Sequence, residues 1–177
     1  MKLRNLALAV TALAATSLAA QEGPRFGLQA TLNQPQSDLK DAVDSKLGFG
    51  VGAHFFVDLG KGHALRPRFD YMWFPEYDLG GATLKVNNLS VGADYLYFVE
   101  GKTEGVYFTA GLSANRWKAE ADAPGFGSSS ESTTKLGLAA GLGYQFNKTV
   151  GAELRYQKGK AWEGDFDFIQ AGVTFRF

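Results

Sequence analysis

Apolar residues alternate with other residues, with a period of two, along almost the whole chain after residue 25. Successive side chains of a β-strand point to opposite faces, so this period is typical of strands whose two faces meet different surroundings. Eight segments show the alternation: 26–32, 47–59, 65–73, 89–97, 106–114, 136–146, 150–156 and 169–177. The sequence therefore predicts an all-β protein with eight amphipathic strands.

One segment departs from the pattern. Leu84 and Val86 occupy even-numbered positions, whereas the apolar residues from Leu89 onward occupy odd-numbered ones. An extra residue in a strand shifts its side chains to the other face, so we predict a bulge at Asn87 and Asn88. The alternative is that 84–88 lie beyond a membrane.

The connections between these segments alternate in length. Those at 60–63, 99–105 and 147–149 are short, whereas 34–46, 75–83, 118–134 and 159–165 are mostly longer and are polar or glycine-rich, which predicts loops there. Short turns on one side and longer loops on the other are typical of an outer-membrane barrel. The pattern thus predicts a transmembrane up-and-down antiparallel β-barrel, and the even strand number places both termini on the periplasmic side. Within the first long connection, 38–44 has helical spacing, and its three Asp residues favour a surface turn over a cation site.

The face opposite the apolar one decides between a soluble and a membrane barrel. After the leader, every Lys falls in a loop, a turn or a strand end, while charges in mid-strand are mostly Arg, Asp and Glu. Buried charges are tolerated only in pairs, and glycines on neighbouring strands leave room for them. We therefore predict that the polar face is the lumen, filled by an ionic network of Arg66, Arg68, Asp70, Asp94, Glu153, Arg155 and Arg176.

Aromatic residues gather at the ends of the strands, as they do at the two interfaces of a membrane. The predicted girdle at the long-loop ends contains Trp73, Trp117 and Trp162. The predicted girdle at the short-turn ends contains Tyr97, Tyr144, Phe146 and Phe175.

The first twenty residues have the composition of a secretory signal peptide. Lys2 and Arg4 precede an apolar stretch at 6–18, and small residues follow, so we expect cleavage after Ala19 or Ala20. The barrel domain is then 21–177. No Cys is present, and 18 basic residues balance 18 acidic ones, which excludes thiol chemistry and gives no reason to expect nucleic acid.

The leader, the eight strands and the closing sequence Phe-Ile-Gln-Ala-Gly-Val-Thr-Phe-Arg-Phe together resemble the small outer-membrane β-barrel proteins of the OmpA/OmpX type. The resemblance covers the whole mature chain, and we expect no peptidoglycan-binding domain. It implies a Gram-negative outer membrane, contact with lipid and lipopolysaccharide, and recognition of the terminal Phe177 by the barrel-assembly machinery. It leaves the activity open, because such barrels, some of them porins, include structural proteins, adhesins, narrow channels and lipid-modifying enzymes.

The residues offer little for catalysis. His54 is expected to point into the lumen as a hydrogen-bonding residue, and His63 lies in a short turn. Acyl transfer needs a Ser–His pair within hydrogen-bond reach, and none is indicated. The glycines at 48, 50 and 52 continue an alternating strand, so they do not form a dinucleotide site. No cofactor or metal is predicted, and a lipid-modifying enzyme is the least favoured function.

Two other functions compete. The favoured one is a non-enzymatic barrel with a structural or surface-interaction role, in which the ionic network fills the lumen and the outer loops contact a surface ligand. The alternative is a narrow porin-like channel, or an OmpW-like port for small apolar molecules lined by Met72 and Phe168.

Overall fold

The computed structural model describes residues 24–78, 82–123 and 127–177. These residues form nine β-strands and one short helix: β1 (Arg25–Gln36), α1 (Ser37–Ala42), β2 (Gly48–Gly60), β3 (His63–Trp73), β4 (Tyr77–Asp78), β5 (Thr83–Phe98), β6 (Gly105–Ala123), β7 (Gly127–Gln145), β8 (Val150–Ala161) and β9 (Gly164–Arg176).

The eight long strands close into a ring in which every pairing is antiparallel. Consecutive strands pair along the chain, β3 pairs with β5, and the pairing of β1 with β9 joins the first strand to the last. The two-residue β4 lies beside the start of β5, beyond the end of β3. The predicted all-β barrel of eight antiparallel strands is confirmed.

The two ends of the barrel differ. At one end, called the short-turn end, lie the turns at 61–62, 99–104 and 146–149, the start of β1 and the end of β9. At the other end, called the long end, lie α1, β4 and the outer parts of β5, β6 and β7. The helix predicted within 38–44 is therefore present as α1, one residue earlier at its start.

The long end holds more strand and less loop than the sequence predicted. The loop expected at 118–134 is wrong, because β6 and β7 stay paired from the barrel out to Ala123 and Gly127. The loop expected at 159–165 is also wrong, since β8 and β9 leave only residues 162–163 between them. The outer segment of β6 and β7 is mostly exposed on both faces, so it lacks the alternation that identified the other strands.

The bulge predicted at Asn87 and Asn88 is wrong. The pairing of β5 with β3 and β6 runs through both residues without a shift, and an irregularity lies instead where β2 pairs with β3, between Asp58 and Gly60. Val86 lies on the inner face of β5 and is buried. The apparent shift in the sequence therefore marks an apolar segment of the inner face.

The outer face of the barrel is a continuous apolar band. Large side chains in mid-strand are exposed to a degree unusual for water-soluble proteins, for example Leu112 at 64%, Leu138 at 59% and Phe108 at 55%. A surface of this kind is stable when lipid covers it. The polar residues of the same strands turn inward.

Candidate functional site: the barrel interior and its long end

An ionic cluster fills the middle of the barrel. Three arginines converge on one oxygen of Asp94: Arg66 at 2.7 Å, Arg68 at 3.0 Å and Arg155 at 3.0 Å. The side chains of all four residues are at most 4% exposed. A carboxylate with three charged donors is well compensated for its loss of hydration.

Two further carboxylates complete the cluster. Arg66 also contacts Glu153 at 2.7 Å, and the hydroxyl of Tyr107 donates to Glu153 at 2.9 Å. Arg68 contacts Asp70 at 2.6 Å, and Asp70 accepts a hydrogen bond from Gln29. Because β3 and β8 lie on opposite sides of the ring, the contact between Arg66 and Glu153 spans the lumen.

Glycines on neighbouring strands make room for these side chains. Gly52 pairs with Asp70, Gly111 pairs with Asp94, and each carboxylate lies where a Cβ of its glycine neighbour would stand. Gly143 gives the same space to the ring of Tyr107. A larger residue at any of these positions would displace a charged or ring-bearing group from the centre of the barrel.

Arg176 does not join the ionic pairs, which corrects its predicted place in the network. None of its three guanidinium nitrogens has a hydrogen-bond partner among the described residues. The guanidinium instead stacks 3.9 Å from the ring centroid of Phe56 and lies 5.8 Å from that of Phe98. The faces of these rings attract a cation, and among the described residues no carboxylate of the cluster lies within ion-pair distance of this guanidinium.

His54 points into the lumen, but it is not the hydrogen-bonding residue that the sequence predicted. Neither ring nitrogen has a partner within the described part of the chain. The ring lies over Gly27, the residue that pairs with both His54 and Arg176. His63, in contrast, contacts the hydroxyl of Tyr95 and packs near Tyr97 on the outer face.

Polar and apolar layers close the interior on either side of the ionic cluster. Toward the long end lies a hydrogen-bonded belt, in which Gln170 donates to Asn33 at 2.9 Å and Gln157 donates to Ser113 at 2.8 Å. Toward the short-turn end lies a buried cluster of Phe56, Ala64, Leu96, Phe98 and Tyr107.

A second apolar cluster closes the long end. Its buried members come from α1, from the segment that follows it and from the inner faces of the strand ends: Leu39, Val43, Met72, Phe74, Val86, Trp117, Ala161, Phe166 and Phe168. The helix is fastened to β9, because Ser37 donates to Asp167 at 3.2 Å and Asp38 accepts from the backbone N–H of Asp165 at 2.7 Å. Met72 and Phe168 thus lie in a packed cap.

This cap corrects two members of the predicted girdles. Trp117 is only 1% exposed, and its ring packs edge-on against Phe166, 5.1 Å between centroids. Trp162 packs partly buried against the same cluster. Trp117 lies on the inner face of β6, and Trp162 lies in the turn between β8 and β9. Neither ring therefore reaches the lipid side. In the sequence, only their positions relative to the alternating pattern distinguish Trp117 and Trp162 from Trp73.

The other predicted girdle residues lie on the outer face near the strand ends. Each is substantially exposed: Trp73, Tyr97, Tyr144, Phe146 and Phe175. Phe177, the predicted assembly signal, is exposed at the short-turn end, where its backbone N–H donates to the carbonyl of Phe26.

The described residues contain neither a helix that could span a membrane nor a cluster that could hold a metal ion. None of their helices has the length and apolar character needed to cross a membrane. No group of three or more His, Asp or Glu side chains within 24–78, 82–123 and 127–177 could hold a metal ion.

A closed ring of eight antiparallel strands, apolar outside and polar within, defines a β-barrel of the outer-membrane class. Residues 6–177 match the family described as the outer membrane protein beta-barrel domain, and the chain belongs to this family. No curated protein sequence is similar enough to count as a match.

Solved structures share this fold. Ail, the attachment invasion locus protein of Yersinia pestis, has a TM-score of 0.66 and 18% identity over 87% of this chain and 97% of its own. Neisserial surface protein A has a TM-score of 0.61 and 20% identity over 88% of this chain and 100% of its own. The N-terminal barrel of Pseudomonas aeruginosa OprF gives 0.54 and 13%, over 85% and 97%. The family and these neighbours imply a bacterial outer membrane.

Proposed function

We propose that this protein is a non-enzymatic outer-membrane barrel with a closed lumen, which acts at the cell surface through the sheet at its long end. The observation that carries the proposal is the continuous filling of the interior by the cap, the polar belt, the ionic cluster and the apolar cluster at the short-turn end. An interior filled in this way offers no path for a solute. The residues that remain accessible are those of the long end.

The sheet at the long end extends well beyond the ring. β5, β6 and β7 pair with one another out to Thr83, Asp122 and Gly127, and β4 adds to the side of β5. On the other side, β7 pairs with β8 only from Gly137 onward within the described residues. The segment 127–136 is therefore a strand edge with unpaired backbone groups, and such an edge binds extended segments by strand addition.

The proposal includes an orientation. The short-turn end, where β1 starts and β9 ends, faces the periplasm. Residues 1–20 are the signal peptide, and the barrel-assembly machinery recognises Phe177 during insertion. Lipid and lipopolysaccharide cover the apolar band. A surface ligand is in keeping with the structure of Ail in complex with the heparin analogue sucrose octasulfate. Here the long end carries charges of both signs, such as the pair of Lys85 and Glu76 at 2.7 Å, which favours a protein segment over a polyanion.

No chemistry is assigned to either histidine. The ring nitrogens of His54 have no hydroxyl partner in the described part of the chain, and the ring of His63 contacts the Tyr95 hydroxyl on the outer face. The alternative of an OmpW-like port would need Met72 and Phe168 to line an open space, and both are at most 4% exposed within the packed cap.

The closed lumen is tested by single-channel conductance of the refolded protein in planar bilayers, with heat-modifiable gel mobility showing that it has folded. We expect no steady conductance. Steady conductance from a folded barrel would replace this proposal with the narrow channel.

The surface role is tested with an array of random peptides of roughly the length of the edge, probed with the barrel in lipid nanodiscs. We expect capture by the full protein, and loss of capture when residues 119–131 are replaced by an Asn-Gly turn that joins the paired residues Lys118 and Ser132. The matched control shortens the turn at 99–104, at the opposite end. Equal capture by the full and shortened hairpins would refute a role for the edge.

A further inference from the structure

An open space crosses the outer face of the barrel obliquely, between two rows of apolar side chains. The upper row runs from Trp73 on β3 through Leu32 on β1 to Leu142 on β7, and each member pairs with its neighbour on the next strand. The lower row runs in the same way from Val51 on β2 to Val106 on β6. The space between the rows, called the furrow, has a volume of about 860 Å³.

The furrow is deep because small residues form its floor and lower its walls. In the floor, Gly50 and Gly172 stand on either side of Thr31, whose side chain points into the lumen. In the walls, Ala30 and Ala171 take places where other members of the rows are large. On any one strand the two rows are two residues apart, about 6.6 Å. The furrow therefore has the width of a single hydrocarbon chain.

The furrow connects the two aromatic girdles. It begins at Trp73 on β3 and reaches Tyr144 on β7, five strand spacings away, or about 24 Å. Strands of such barrels tilt by about 35–45°, so a line that crosses them descends through the membrane at a similar angle to its plane. A chain that enters the furrow at Trp73 thus stays inside the apolar band along its whole length.

A polar pocket of about 330 Å³ continues the furrow past Trp73 toward β5. Its polar lining is Glu76, Lys85 and Asn87. Lys85 and Glu76 pair at 2.7 Å, and their side chains are 46% and 54% exposed, so both charges are accessible to a ligand. Lys46 lies beside them and donates to the backbone carbonyl of Glu76 at 2.6 Å. The pocket itself therefore presents one cation and one anion.

We propose that the furrow and this pocket bind one glycerophospholipid with a zwitterionic headgroup, one acyl chain of which lies in the furrow. Lys85 and Asn87 donate to the phosphate, and Glu76 accepts from the ammonium of a phosphoethanolamine head. Unmodified lipid A has phosphates but no ammonium, so it leaves Glu76 without a partner. The inference rests on the proposed function, because the orientation of the long end toward the cell surface places the pocket in the outer leaflet.

The inference is tested by native mass spectrometry of the full barrel, refolded in detergent micelles. The micelles contain equal amounts of phosphatidylethanolamine, phosphatidylglycerol and lipid A. We expect each barrel to retain one phosphatidylethanolamine. Retention of lipid A or phosphatidylglycerol in its place, unselective retention of all three, or a dimer of the chain without lipid would overturn the inference.

The furrow is tested by filling it. Ala171→Leu narrows the furrow and should weaken binding about tenfold, the cost of about two CH₂ groups that lose their burial. The matched control, Ala93→Leu, makes the same change on the outer face of β5, away from the furrow, and should bind as the wild type does. Heat-modifiable gel mobility shows that both variants fold. Equal binding by the Ala171 variant and the wild type would refute the role of the furrow.

The headgroup pocket is tested by its charges. Glu76→Gln removes the partner of the ammonium, so phosphatidylethanolamine and phosphatidylglycerol should be retained equally. Lys85→Gln should lose both lipids, whereas the control Lys118→Gln, which breaks the exposed pair with Glu120 on β6, should change nothing. An unchanged lipid preference in the Glu76 variant would contradict the assignment.

Conductance and peptide capture are measured on the same preparations. A silent lumen with peptide capture but without lipid retention leaves the proposed function standing and removes this inference. Steady conductance removes the proposed function whatever lipid is retained.

Discussion

Replacing Asp94 with Asn should destabilise the barrel more than the corresponding change at either of the other two carboxylates of the cluster, Asp70 and Glu153. The carboxylate accepts from Arg66, Arg68 and Arg155 at 2.7, 3.0 and 3.0 Å. Asn keeps the shape that fits against Gly111 but removes the charge, leaving three arginines to share Asp70 and Glu153.

The magnitude follows from what each arginine keeps. Each of the three charged hydrogen bonds contributes about 1.5–3 kcal/mol, but their sum overestimates the loss of stability. Each arginine keeps another partner: Arg66 keeps Glu153, Arg68 keeps Asp70 and Arg155 keeps Gln157. We therefore expect the free energy of unfolding to fall by about 3–5 kcal/mol, the usual range for breaking a buried ion pair.

The assay is urea unfolding in micelles of fixed composition, followed by tryptophan fluorescence and gel mobility and extrapolated linearly to water. The matched comparison is Asp70→Asn, since Asp70 contacts one arginine among the described residues and its side chain is 13% exposed. That change should lower the free energy of unfolding by about 1.5–3 kcal/mol. If Asp94→Asn proves as mild as Asp70→Asn, the convergence of three arginines on Asp94 is not what holds the centre together.

Three other changes test separate parts of the interior. Arg68→Ala should lower the free energy of unfolding by about 3–5 kcal/mol and raise the leak in planar bilayers; unchanged melting together with unchanged leak would contradict its assigned place. His54→Leu should change stability by no more than about 1 kcal/mol in the same urea titration, because no hydrogen bond is lost; a large loss would reveal a polar partner. Gly111→Ala should destabilise by about 1–3 kcal/mol by pushing on the Asp94 carboxylate, while Gly159→Ala, which meets only ordinary contacts, should be close to neutral.

The sequence predicted the ring because most strands separate lipid from a polar lumen. β2 is the clearest case: Phe49, Val51 and Phe55 face outward, while Gly48, Gly50 and His54 face inward. Where both faces of a strand are exposed to water, as in the outer part of β7, apolar and polar residues do not alternate. The same reasoning then predicts a loop. The sequence therefore predicts where the barrel ends, but it does not predict the sheet that extends beyond that end.

The apolar cap was missed for a related reason. Val86, Trp117 and Phe166 are apolar residues on the inner face, so they contradict the rule that identified that face. The change of parity at Leu84 and Val86 and the inward positions of Met72 and Phe168 are the signals of this cap in the sequence, and they predicted a bulge and an apolar port instead. The sequence also could not predict the contact partner of Arg176. Its residue type places it in the lumen, but only its position beside Phe56 shows that it stacks on a ring.

The fastening of α1 to β9 bears on how the ring stays shut. The pairing of β1 with β9 is the seam of the barrel, where strands from the two ends of the chain meet, and such distant contacts form late in folding. α1 follows β1 directly, and its contacts from Ser37 and Asp38 to the start of β9 act as a clasp at the open end of that seam. Thermal opening of a seam starts at its ends, so a clasped seam favours lateral opening from the short-turn end, where the start of β1 meets the end of β9.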